Sequence, residues 1–144
     1  ITIVGLPDRP GIAAGVFGAL ADHHVNVDMI VQSASSITKK TDISFSVGRV
    51  DLQKAVDIIH KIEDELEFES VDASPNVAKI SVVGTAMRTQ PGVAKIMFET
   101  LASKGVNLHV ISTSEIKISV LIDAEYIELA VRSLHTAYGL DDIS

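Results

Sequence analysis

Apolar residues along the first half of the chain recur with two periods, which predict strands and helices in turn. Residues 1–4 are β-branched and half alternating, as in a strand. Pro10 is predicted to lie in the first turn of a helix, and the apolar residues after it recur at spacings of three and four, which predicts one buried face. A second such face follows Asp51, a plausible N-cap. The two faces comprise Ile12, Val16, Phe17 and Leu20, then Leu52, Ala55, Val56, Ile59 and Ile62.

Further strands are predicted at 25–31, 42–47 and 68–73, with a loop at 5–9 and a polar turn at 33–41. The resulting order is β-α-β-β-α-β, the ferredoxin-like arrangement. The second half repeats this order. Its strands are predicted at 79–83, 106–112 and 117–122, its helices at 92–103 and 125–138, and its fourth strand is missing.

The two halves also share sequence. The 24-residue runs that begin at Pro10 and Pro91 align at a shift of 81 and share ten identities. The identities are Pro10/Pro91, Gly11/Gly92, Ala13/Ala94, Phe17/Phe98, Leu20/Leu101, Ala21/Ala102, Val25/Val106, Asn26/Asn107, Ile30/Ile111 and Ser33/Ser114. The chain is therefore predicted to be α+β, with two tandem ferredoxin-like domains at 1–76 and 77–144. Each is expected to pack its helices on one face of an antiparallel sheet.

Composition argues against several classes of function. The net charge of −7 argues against nucleic-acid binding, which depends on neutralising phosphates, and 4% aromatic residues argue against an RNA-binding sheet. No apolar run is long enough to suggest a membrane span. The chain has no cysteine and no recognisable signal peptide, which fits a cytoplasmic protein. Ile1 already lies in a strand pattern, so we expect the chain to be a piece of a longer protein.

No catalytic motif is present: the sequence lacks GxxxxGK[ST], GxGxxG and HExxH. His60 and His135 occupy equivalent positions in the two repeats, which favours a shared structural role over metal binding. We expect no catalytic residue, no metal site and no cofactor in this chain.

The loop that precedes the first helix offers a binding chemistry. Free N–H groups and the positive end of the helix dipole suit a carboxylate, and Gly11 allows a ligand to approach the backbone closely. Asp8 and Asp28 could face an ammonium group, so the residues together suit an amino acid. The alternative is a Pro-Gly turn that only starts a helix, with Asp8 solvated.

Three longer strings point to a family. They are VGLPDRPGIAAGVFGALADHHVNVDMIVQS, TDISFSV and VVGTAMRTQPGVAKIMFETLASKGVNLHVISTSEIKISVLI. They resemble the paired ACT domains at the C-terminus of aspartate kinase, a region that some members make as a separate regulatory subunit. The resemblance implies a feedback sensor that binds threonine, lysine or both and inhibits phosphorylation of the aspartate side chain. ATP and Mg²⁺ would then bind only in a kinase domain, which this chain lacks.

The resemblance also implies a set of effector-binding residues at an ACT–ACT interface. The first-repeat set is Asp8, Gly11, Ile12, Ala13, Asp28 and Gln32; the second-repeat set is Asn107, Leu108 and Ser114; Ser35 and Ser44 line the same neighbourhood. The repeats differ at these positions, since Asp28 becomes His109, Gln32 becomes Thr113, and Asp8 has no clear equivalent in 85–90. We therefore expect the main site in the first repeat.

The expected partners are a second copy, bound through the ACT domains, and a kinase domain or catalytic subunit. The resemblance further implies that a strand before Ile1 fills the gap in the second sheet, so that 77–144 would not fold alone. Three other classes stay open: an ACT pair of another enzyme or of a transcription regulator, an RNA-binding module, and a complete small enzyme.

Overall fold

The computed structural model describes residues 1–35, 37–84 and 91–139, and the chain divides into two compact units, Ile1–Pro75 and Asn76–Ser144. The elements of the first unit are β1 (Thr2–Pro7), α1 (Ile12–Asp22), β2 (Val27–Ala34), β3 (Lys40–Val47), α2 (Leu52–Lys61), α3 (Glu63–Leu66) and β4 (Ser70–Asp72). Its sheet is antiparallel with the order β2-β3-β1-β4.

The second unit repeats this plan. Its elements are β5 (Val77–Val83), α4 (Pro91–Ser103), β6 (Val110–Thr113), β7 (Lys117–Asp123) and α5 (Ile127–Ala137). The antiparallel order is β5-β7-β6, and no strand within the described residues pairs with the outer edge of β5. The predicted fold class, two ferredoxin-like units of which the second has three strands, is confirmed. The loop at 85–90 and the C-terminal residues 141–144, on which expectations were also placed, lie outside the described residues.

Each unit buries its own core between the helices and one face of its sheet, and the two cores use equivalent positions. Leu20 and Leu101 are both fully buried, and so are Ala55 and Ala130. In the first unit Phe17 packs edge-on against Phe45, with ring centroids 5.4 Å apart. The helical faces predicted from the sequence are therefore the faces that pack into the two cores.

Two local predictions around β1 and α1 are wrong. β1 continues to Pro7, although residues 5–9 were expected to form a loop. Its register shifts between Ile3 and Leu6, where Gly5 takes a φ of 73° and donates its N–H to Asp42 Oδ1 at 2.9 Å. Because of this bulge, β1 continues beyond Gly5, although a glycine often ends a strand. Pro10 lies outside α1, which begins at Ile12, whereas its equivalent Pro91 is the first residue of α4.

Smaller differences concern the ends of other elements. Asp51 precedes α2 but its side chain makes no capping hydrogen bond, because a 3-10 turn at Arg49–Asp51 leads directly into the helix. The hairpin between β2 and β3 is tighter than the polar turn expected at 33–41, and β4 is shorter than predicted.

Candidate functional site

The loop between β1 and α1 is held from two sides. The backbone N–H of Asp8 donates to the carbonyl of Lys39 in the β2–β3 hairpin at 3.1 Å. The Arg9 guanidinium donates to the carbonyl of Glu65 at 3.1 Å and contacts the Glu67 carboxylate at 3.4 Å. The Asp8 side chain itself is exposed. The loop therefore presents a carboxylate on a backbone that is tied to two other segments.

The N-terminus of α1 has no side-chain cap. Gly11 is its N-cap with φ 89° and ψ −9°, and no side chain caps this end. Ile12 N–H bonds Arg9 O at 3.3 Å and Gly15 N–H bonds Gly11 O at 2.9 Å, which leaves the amides of Ala13 and Ala14 without a described protein acceptor. The Ile12 side chain is buried and Ala13 packs partly against the core. Gly11, Ile12 and Ala13 can therefore contribute backbone to a site, but little side chain.

Gln32 lies at the same end of the sheet as this loop. β2 ends two residues after Gln32, and the hairpin that follows is bonded to the loop through Lys39 O and the N–H of Asp8. Gln32 pairs in register with Ile43, whose side chain is in the core, so Gln32 extends from the helix-bearing side of the edge strand. Asp28 is also exposed but lies four residues earlier, about 13 Å along the strand. A ligand that contacts both residues must extend along much of β2.

Of the two neighbouring serines, Ser44 lies on the opposite face of the sheet from Gln32, and Ser35 lies in the β2–β3 hairpin. Ser44 Oγ is 2.9 Å from Thr2 Oγ1, on the face opposite the helices, because Ile43 beside it points into the core. Ser35 begins the hairpin, where its N–H bonds the carbonyl of Lys40 at 2.9 Å and its Oγ accepts the N–H of Thr38. Ser44 and Gln32 therefore cannot line one face of the sheet together.

The second-repeat residues lie at the two ends of β6. Asn107 and Leu108 precede this strand, with Asn107 exposed and Leu108 packed partly against the second core. Ser114 follows the strand and donates its N–H to Lys117 O at 2.7 Å. His109, the equivalent of Asp28, pairs with Asp123 through Nε2 and Oδ1 at 2.7 Å. Immediately before β6 the second repeat therefore has a histidine where the first repeat has Asp28, as its sequence indicates.

At the start of α4, the helix equivalent to α1, a backbone carbonyl accepts a hydrogen bond from a side chain. Tyr138, at the end of α5, donates its hydroxyl to the carbonyl of Val93 at 2.6 Å. Burial raises the pKa of the Tyr138 hydroxyl above its ordinary value. The sequence pattern of α5 alone does not indicate this polar contact.

Sequence reasoning missed a polar cleft in the first unit, of about 350 Å³, between β1, the β2–β3 hairpin and Glu69. Its residues are scattered along the sequence, so only the strand register could have shown that they meet. Within the described residues no group of three or more His, Cys, Asp or Glu side chains is placed to hold a metal ion. None of the helices described is long and apolar enough to cross a membrane.

The ACT-domain family model matches residues 1–62 and 80–138, which takes in both repeats. In a structure of aspartokinase alpha and beta subunits, one chain is 45% identical with a TM-score of 0.88, and the match covers 96% of this chain and 90% of that one. The chain belongs to the ACT-domain family, as a regulatory region of aspartate kinase. The ligand-free regulatory subunit of aspartate kinase from Thermus thermophilus is 40% identical with a TM-score of 0.86, over 95% and 90% of the two chains.

Longer aspartate kinases contain the same region. Aspartokinase from Helicobacter pylori is 46% identical over 141 residues, which is 98% of this chain and 34% of that protein. The chain thus spans about a third of the length of the curated aspartokinases it matches and most of the length of the regulatory subunits. This relationship confirms the resemblance found from the sequence.

Proposed function

We propose that this ACT pair is an allosteric sensor that binds an end-product amino acid, threonine or lysine or both, and thereby inhibits phosphorylation of aspartate by its kinase. The observation that supports this most directly is the uncapped N-terminus of α1, where Gly11 brings backbone N–H groups to the surface three residues after the Asp8 carboxylate. The N–H groups suit the carboxylate of an amino acid, and the Asp8 carboxylate suits its ammonium group.

The chemistry of each half of the ligand follows from these groups. The amides of Ala13 and Ala14 and the helix dipole favour the ligand carboxylate. The exposed Asp8 carboxylate favours its ammonium group, and the Gln32 amide can bond either end or a polar side chain. Since the Asp8 backbone is fixed to Lys39 O and its neighbour Arg9 to Glu65 O, the loop loses little freedom on binding.

We propose that two copies pair through their ACT domains and that Asn107, Leu108 and Ser114 of a facing repeat complete the site. The edge strands β2 and β6 support this pairing, because they carry the equivalent residues Ile30 and Ile111, which are 50% and 46% exposed. Uncovered edges with apolar side chains favour association. The kinase domain or catalytic subunit, with its ATP and Mg²⁺, is the further partner.

The test is calorimetric titration of threonine and lysine into the chain and into two variants, Asp8→Ala and Gln32→Ala. Loss of one hydrogen bond to a charged group costs about 1.5–3 kcal/mol, so affinity should fall roughly tenfold to a hundredfold. Asp22→Ala is the matched control, because Asp22 is an exposed aspartate at the far end of α1. Equal affinity in all four proteins would remove this site from consideration.

The same variants test the coupling in an aspartate kinase that contains this region. Coupling between two sites is reciprocal, so a variant that no longer binds the effector cannot shift the kinase toward its inhibited state. Asp8→Ala should raise the effector concentration needed for feedback inhibition roughly tenfold to a hundredfold and leave the uninhibited rate unchanged. A lower rate without effector would contradict a purely regulatory role for the loop.

A further inference from the structure

The side of α5 that faces away from the sheet carries an open groove. Ala130 and Leu134 of this helix are buried in the second core, so the opposite side of the helix faces solvent. The groove has a volume of about 520 Å³, and all of its described lining comes from α5. Its residues are Ile127, Glu128, Val131, Arg132 and His135.

The charged residues on this side of α5 are placed symmetrically about Ala130. Glu128 lies two residues before it and Arg132 two residues after it. Two residues turn a helix by about 200°, so both side chains extend opposite the buried Ala130. Glu125 and His135 lie five residues before and after Ala130. All four side chains are exposed, so acidic groups occupy the N-terminal half of this face and basic groups the C-terminal half.

This order of charges is complementary to a second copy of itself. Two copies related by a two-fold axis contact each other through the same patch, so that residue i meets residue j and j meets i. With the axis at the level of Ala130, Glu128 of each copy meets Arg132 of the other. Glu125 comes level with His135 of the other copy in the same way. A parallel arrangement would bring Glu128 against Glu128, so the charges select antiparallel helices.

Within one copy Glu128 and Arg132 do not pair. Their spacing of four residues suits an ion pair along one helix, but neither side chain has an ion-pair partner among the described residues. Their equivalents in α2 are Gln53 and Asp57, which hydrogen-bond each other at 2.9 Å. The first repeat therefore satisfies these positions within the helix, whereas the second repeat leaves two opposite charges at the surface.

We infer that this outer face of α5 is a docking surface for α5 of a second copy, antiparallel to the first about a two-fold axis. The face is complementary to itself in charge, and its central pair, Glu128 and Arg132, is satisfied only when two copies meet. The edges of β2 and β6, through which copies are proposed to pair, belong to other elements. The α5 contact therefore joins two edge-paired dimers and does not depend on the proposed function.

The groove accommodates the longer of the two central side chains. Arg132 of the second copy reaches Glu128 along the groove, so its methylene groups lie against Ile127 and Val131. Val131 is 41% exposed in the single chain and becomes covered there. Because the contact involves one helix face, it buries less area than a standard interface, and salt screens its charged pairs. Association through α5 should therefore be weak, and strongest at low ionic strength.

The test is sedimentation velocity of the chain and of charge-reversal variants at about 50 mM and about 500 mM salt. The wild type should form larger assemblies at the lower salt concentration. Glu128→Arg and Arg132→Glu should each weaken this step at least tenfold, because each places like charges opposite each other. The matched control is Asp57→Arg, which makes the same change of charge as Glu128→Arg on the equivalent helix α2 and should leave the association unchanged.

Rescue separates a specific contact from a general effect of charge. An equimolar mixture of Glu128→Arg and Arg132→Glu should regain the wild-type assembly, because one variant is positive and the other negative at both positions. The double variant Glu128→Arg/Arg132→Glu should also associate, since the exchange preserves the two-fold pattern. The same results are expected in an Ile30→Lys background, in which edge pairing is weakened.

Three results would overturn the inference. They are no salt-dependent association of the wild type up to about 1 mM chain, an equal effect of Asp57→Arg and Glu128→Arg, and no regain of association in either the mixture or the double variant. Loss of effector binding at the loop before α1 would leave all of these measurements unaffected, so the two proposals fail separately.

Discussion

Gly11 and Gly92 are equivalent in the two repeats, but the same substitution should have opposite effects on them. Gly11 has a φ of 89° as the N-cap of α1, whereas Gly92 lies within α4. A Cβ would meet nothing within 4 Å at either position, so steric contact does not decide the outcome. The expected difference in stability therefore comes from the backbone conformation alone.

The expected magnitudes follow from that backbone. Alanine in a left-handed conformation costs about 1–2 kcal/mol, so Gly11→Ala should lower the free energy of unfolding by this amount. Alanine in place of glycine within a helix gains roughly 0.5–1 kcal/mol, so Gly92→Ala should raise it. For a domain of this size, each kcal/mol shifts the Tm by about 4–8 °C.

Urea unfolding and effector titration separate stability from binding. Gly11→Ala should also weaken effector affinity, because relief of the strain moves the amides of Ala13 and Ala14, while Gly92→Ala should leave first-repeat binding intact. If both substitutions shift stability in the same direction, the assignment of a left-handed Gly11 at the mouth of the site is wrong.

Two further changes test contacts that sequence alone did not show. Tyr138→Phe should lower the free energy of unfolding by about 0.5–1.5 kcal/mol, because the hydrogen bond to Val93 O is lost. Burial raises the pKa of Tyr138 in the folded state, so the difference in stability between wild type and variant should be full below about pH 10 and decline above it. Urea unfolding at several pH values measures this difference. Ile30→Lys should weaken self-association in sedimentation equilibrium, because a lysine on edge strand β2 opposes edge pairing. Val50→Lys, at a residue of the 3-10 turn that is 94% exposed, should not. Unaltered association of Ile30→Lys would place the interface elsewhere.

The helices and their buried faces could be predicted because their information is local. Leu20, Ala55 and Ile59 follow a helical period, and each is fully buried where that period placed it. The bulge in β1 could not be predicted in this way, because it is fixed by a bond from Gly5 to Asp42, 37 residues later. Local rules interpret Gly5 and Pro7 as the end of a strand, and a distant carboxylate overrides them.

The candidate site shows the same division between local and long-range information. Gly11 was predicted from the Pro-Gly pair and the helix that follows it. The sides taken by Gln32 and Ser44 depend on strand register, since a shift of one residue moves a side chain to the other face. The pairing of Gln32 with Ile43 puts these two residues on opposite faces, and the sequence pattern alone did not define that register.

The duplication itself separates what folding requires from what a ligand requires. At buried positions the repeats exchange one apolar residue for another, as in Val16 and Met97 or Phe45 and Val120, because each core must stay filled. At positions outside the two cores they change charge, as in Asp28 and His109 or Asp42 and Lys117. The fold itself therefore does not prescribe one charge at these equivalent positions. In the first unit Asp42 accepts the Gly5 N–H at the β1 bulge, whereas in the second unit the backbone carbonyl of Ile116 accepts the N–H of Gly84, so each repeat meets the same backbone requirement with its own acceptor.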